Sequence, residues 1–132
     1  MGRKATRDML FKLVFELCFH PSDENSYYDH MFDDGEVDID KDWLQPMYTD
    51  IILKQDELKD LVSKYMTGYT IDRVFKVDLA ILMLAVYELK YTDTDVKIIA
   101  NEAVELSKKY STEKSFKFIN GVIASASKDL RK

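Results

Sequence analysis

The chain has 132 residues, of which 46% are hydrophobic and 33% charged, enough for one ordinary domain spanning residues 1–132 with a core that needs no staples. No apolar run nears the roughly 20 residues of a membrane helix. No h-region follows Gly2-Arg3-Lys4 to suggest an export signal, and the single Cys18 has no intrachain partner, so the expected setting is the reducing cytoplasm.

The net charge of −5 speaks against a polyanionic partner until its distribution is seen. Residues 1–17 carry +2, residues 18–60 carry −10, residues 61–96 carry −1 and residues 97–132 carry +4. Segregated charge builds local fields that a net value hides. An acidic loop with solvated basic helix faces would give the same numbers, and charge alone does not separate the two.

With four Gly and two Pro there are few breaks, and the periodicity is helical nearly throughout. A first helix is predicted over Arg3–Phe19, with Leu10, Leu13, Val14 and Leu17 as its buried stripe, ending before Pro21. A short helix is predicted from Ser22 to Phe32, then an acidic loop from Asp33 to Asp42. A third helix starts near Asp42 and carries Trp43, Leu44, Met47, Tyr48, Ile51 and Ile52. A fourth covers Gln55–Tyr65, with Gly68 as its C′ glycine, and Thr70–Phe75 forms one turn. Val77–Tyr91 has almost no polar face and is too short to cross a bilayer, so it is the expected central buried helix. Asp95 or Thr94 caps the next helix, which buries Ile99, Ala103, Leu106 and Tyr110. After Ser111-Thr112 the last helix buries Phe116, Ile119, Ile123, Ala126 and Leu130. The sum is an all-α chain of about seven helices.

Two helices carry a second pattern. On the first, Arg7, Phe11 and Phe15 follow at i, i+4 and i+8, flanked by Lys4 and Lys12. Cations bind phosphates and aromatic faces stack on unpaired bases. The same stripe could widen the core, with the basic residues left to solvent. On the last, Lys114, Lys117, Phe118 and Gly121 share one side, bordered by Asn120. A glycine inside a helix is about 1 kcal/mol worse than alanine, so it calls for close packing within the chain or close approach by another backbone. Asn120 could read a base edge or bond a backbone carbonyl.

Catalytic patterns are absent from the sequence. It has no phosphate-cradling glycine loop and no Cys-x-x-Cys, and His20 and His30 lack ligand spacing. Asp33-Asp34-Gly35-Glu36-Val37-Asp38 has no glutamate at the twelfth position of a calcium loop. No cofactor, no metal and no enzymatic activity are expected.

Four blocks together resemble the NusB family of bacterial transcription antitermination factors. They are Arg3-Lys4-Ala5-Thr6-Arg7-Asp8 followed by Phe15; Val77-Asp78-Leu79-Ala80-Ile81-Leu82 through Ala85-Val86-Tyr87-Glu88-Leu89; Ile99-Ala100-Asn101-Glu102-Ala103-Val104-Glu105-Leu106; and Phe116-Lys117-Phe118-Ile119-Asn120-Gly121-Val122. The resemblance implies two small helical bundles packed across each other. It also implies binding of boxA RNA together with the ribosomal protein NusE, and joining of the RNA polymerase elongation complex to suppress termination. Carried over, the RNA surface is Arg3, Lys4, Arg7, Lys12, Phe15, Tyr110, Lys117, Phe118 and Asn120. Asp78 matches an acidic family position that suits a basic partner protein. A homodimer is also open, because folds of this kind occur both alone and self-paired.

The chain departs from the pattern at Lys4, where arginine is common, at Lys12, where glutamine is frequent, and at Met83. Met83 replaces an arginine that would pair with Glu88 about one turn on, which leaves Glu88 solvated or bonded elsewhere. Arg7 is expected on the surface, so that Arg7→Ala would weaken RNA binding and spare the fold. The alternative function is a protein-interaction adaptor that docks through the acidic 33–42 region. A third class, the domain that precedes the catalytic part of some ribosomal-RNA cytosine methyltransferases, is disfavoured by a sequence that stops at Lys132.

Overall fold

The computed structural model describes residues 3–19, 39–66 and 73–131. Among them are six helices and no strand: α1 (Arg3–Phe19), α2 (Lys41–Leu53), α3 (Gln55–Tyr65), α4 (Lys76–Tyr91), α5 (Val96–Tyr110) and α6 (Glu113–Leu130). The helix expected at 22–32 lies outside the described residues. So do His20, His30, Gly68, the first half of the turn at 70–75, and the acidic run up to residue 38.

The chain is all-helical, two small bundles with α4 at their junction. Every residue of α4 from Asp78 to Leu89 is buried, as its lack of a polar face requires. It packs against α1, α3, α5 and α6. The predicted stripes face this core: Leu10, Leu13, Val14 and Leu17 from α1, Ile99, Ala103 and Leu106 from α5, and Ile119, Ile123 and Ala126 from α6. Phe116, Tyr110 and Leu130, expected inside, are only half-buried, each lying in the first or last turn of its helix. Cys18 is buried with its Sγ 3.9 Å from the Met83 Sδ. Burial pushes its thiol up to about 11, so it packs as a small hydrophobe.

Helix ends are set by local chemistry. The Asp40 side chain accepts from the Trp43 amide at 3.2 Å and starts α2. The Asp40 amide donates to the buried Thr6 Oγ1 at 3.0 Å, tying that start to α1. Pro46 inside α2 is exposed, so the amide it lacks faces water rather than the core. Asp95 caps α5 through the Lys97 amide at 2.9 Å, and Thr112 caps α6 through the Ser115 amide at 3.3 Å. The C-terminal end of α4 is closed from a distance. The Arg131 guanidinium donates to the carbonyl oxygens of Leu89 at 2.7 Å, Glu88 at 3.1 Å and Thr92 at 2.9 Å, satisfying carbonyls that a helix end leaves open.

Candidate nucleic-acid interface

Two buried carboxylates on α4 fix the elements that flank the surface. Glu88 is 2% exposed and Arg7 5%. Arg7 Nε donates to Glu88 Oε2 at 3.2 Å and a terminal guanidinium nitrogen to Oε1 at 2.7 Å. The guanidinium also lies 5.2 Å from the Trp43 ring centroid. This two-pronged pair needs the planar fork of arginine. It corrects the expectation of a surface Arg7: the helix face that carries Arg7 turns inward, and the buried Glu88, left without an arginine at position 83, captures it from 81 residues away.

Asp78 is corrected in the same sense. It is 4% exposed, and its two oxygens accept from Ser111 Oγ at 2.6 Å and Ser115 Oγ at 2.7 Å. Its charge is directed at the α5–α6 turn rather than at a partner.

The α1 aromatics follow the core alternative. Phe11 is 2% exposed and Phe15 half-buried against the core. Phe11 stacks on Phe15 at 6.1 Å and on Tyr110 at 5.0 Å, and Phe15 meets the exposed Phe19 edge-on.

What remains outward is a basic groove of about 830 Å³ between α1 and α5. Its lining includes Lys4, Lys12, Lys108 and Lys109, with Glu102 and Glu105 also on its wall. On the same wall Asp8 accepts from Tyr110 Oη at 2.7 Å and Lys109 Nζ at 3.2 Å, and pairs with Lys12 Nζ at 3.3 Å. Burial raises the Asp8 carboxyl, but the bonds from Tyr110, Lys109 and Lys12 outweigh it and hold the group below its ordinary value. Tyr110 is thereby half-buried, with its ring on Phe11 and its hydroxyl at the groove.

The groove does not stop at α5. Lys108 also lines a smaller cavity at the α5–α6 turn with Thr112, Glu113 and Phe116. Thr112 and Glu113 in turn line a cavity of about 650 Å³ with Arg73, Phe75, Asp78, Lys114 and Phe118. The three recesses are thus neighbours that share lining residues. Phe118 is half-buried beside the last of them and packs against the core. Lys117, Asn120 and Gly121 are exposed on α6. Among the described residues nothing lies within 4 Å of where a Gly121 Cβ would stand, so close packing against them does not explain that glycine.

Of the sequence candidates, Lys4, Lys12 and Tyr110 are brought together. Lys117, Phe118 and Asn120 lie on the next helix, and Arg7, Phe15 and Asp78 are drawn inward. Arg3 opens α1, and its side chain is outside the described residues. Sequence reasoning missed Lys108, Lys109 and Asp8. The basic last turn of α5 was the available signal for the lysines. Asp8, an acid in a basic opening, had none.

No His/Cys/Asp/Glu group suited to a metal occurs among the described residues, and none of their helices is long and apolar enough to cross a membrane. The model of the NusB family matches residues 4–128. The transcription antitermination protein NusB of Agathobacter rectalis is 38% identical over 128 residues, covering 94% of this chain and 98% of its own length. That of Bacillus subtilis is 30% identical over 131 residues, covering 98% of each. A solved structure of T. maritima NusB matches with a TM-score of 0.87 at 29% identity, over 98% of this chain and 92% of that one. Sequence and fold agree along nearly the whole length: the chain belongs to the NusB family of transcription antitermination proteins.

Proposed function

We propose that the chain binds boxA-containing RNA together with the ribosomal protein NusE, and that the complex joins RNA polymerase to support ribosomal RNA transcription. The α1–α5 groove carries this reading: Lys4, Lys12, Lys108 and Lys109 line it, Tyr110 reaches it through its bond to Asp8, and lysines gathered in this way suit a phosphate backbone. Lys4, Lys12 and Tyr110 contact RNA directly, joined by Lys108 and Lys109. Lys117, Phe118 and Asn120 extend the surface along α6. Arg3 belongs with Lys4 as a phosphate ligand. Arg7 acts from beneath, by fixing α1 on α4. Asp78 acts through the α5–α6 turn that it orders.

Fluorescence anisotropy with a boxA RNA and a scrambled control, each with and without NusE, tests the proposal. The expected result is tighter binding to boxA, greatest with the partner present, that weakens as salt rises. Equal affinity for both RNAs under every condition would refute it.

A further inference from the structure

Asp8 lines the groove beside four lysines and, unlike Glu102 and Glu105 on the same wall, is paired with two of them. Three groups hold it there, and they differ in how firmly they do so. Tyr110 is half-buried and stacked on Phe11, so its hydroxyl keeps one carboxylate oxygen in place. Lys12 and Lys109 are 44% and 61% exposed along their side chains. Exposed ion pairs of long side chains are weak and easily exchanged. A phosphate oxygen asks of an ammonium group the same geometry as a carboxylate oxygen does. The fixed carboxylate and an incoming phosphate therefore compete for the same two lysines.

We propose that Asp8 is an internal competitor of the RNA backbone: it holds Lys12 and Lys109 in the free chain and yields them on binding, and so sets affinity and salt dependence. The inference rests on the reading of the groove as an RNA surface. A lysine already neutralised by Asp8 attracts fewer counterions in the free state and adds less when it meets a phosphate. Affinity is thereby held below what the four lysines would give alone.

The test measures anisotropy of the full chain with boxA RNA over a range of salt for the wild type, Asp8→Asn and Glu105→Gln. Asparagine still accepts from Tyr110 but carries no charge. Glu105 lines the same groove and forms no ion pair among the described residues, so its substitution changes the net charge alone. Asp8→Asn is expected to bind about threefold to tenfold tighter at low salt. Its log K against log salt should steepen by about 0.7 for each lysine that now meets a phosphate. Glu105→Gln should change both less.

A second comparison does not need Asp8 to be altered. Lys109→Gln should lose less affinity than Lys108→Gln, because Lys108 is not held by Asp8. Wild-type binding with no gain in Asp8→Asn, or an equal gain in Glu105→Gln, would overturn the role of Asp8 and leave the RNA surface standing. A wild type that binds neither boxA nor scrambled RNA overturns both.

Discussion

At the scale of single residues, the Arg7–Glu88 pair decides most. A buried ion pair is a modest source of net stability, but removing one partner strands the other in the core. Arg7→Ala is expected to destabilise the fold by about 3–5 kcal/mol in urea denaturation. The double variant Arg7→Met with Glu88→Leu should recover most of that loss. This reverses the expectation from sequence, and the reason is instructive. Periodicity placed Arg7 on a stripe with Phe11 and Phe15 but could not say which way the stripe faced. The missing clue was chemical: the buried helix α4 has two acids, Asp78 and Glu88, and each must find a donor. Asp8 supports a pH prediction. Its carboxyl lies below the ordinary value of 3.8 in the fold. Its stabilising contribution is therefore present at neutral pH and is lost as the pH falls past that value. In an acid titration of stability, the wild type should lose more below pH 4 than Asp8→Asn does.

Among the elements, the helices were largely legible because their signals are local. The bounds of α1 and α3 agree with those expected from their apolar stripes, and Asp95 and Thr112 cap where short polar residues precede an apolar run. The cap on α4 was not legible, since Arg131 reaches it from another helix end. Gly121 is the informative position in α6. A methyl group there would meet nothing among the described residues, so Gly121→Ala is expected to stabilise the helix by up to about 1 kcal/mol, raising the melting temperature by a few degrees. A loss of RNA affinity in that more stable variant would identify the open backbone as a contact surface. Unchanged affinity would leave the glycine without a functional role.

For the whole molecule, α4 works as a rigid rod whose ends set the two halves of the surface. Glu88 holds α1 near one end, and Asp78 holds the α5–α6 turn near the other through Ser111 and Ser115. Asp78→Ala should therefore raise hydrogen exchange around residues 111–116 while α1 stays protected. The fold class was readable from pattern alone, because helical periodicity and an all-apolar central segment leave few architectures. The surface was not, because it depends on which of two helix faces is buried. Only tertiary contacts between residues far apart in sequence decide that.

The meeting of Arg7 and Arg131 at one residue has a topological consequence. The side chain of Glu88 is held from the first helix, and its backbone carbonyl from just beyond the last. Both ends of the described chain thus converge on the same turn of α4. A circular permutant that joins them by a flexible linker and opens new ends in the exposed Asp93–Asp95 connector should keep both latches. It is expected to fold to the same helix content by circular dichroism. The ring closed at Glu88, rather than the order in which the helices are strung, would then be what defines this architecture.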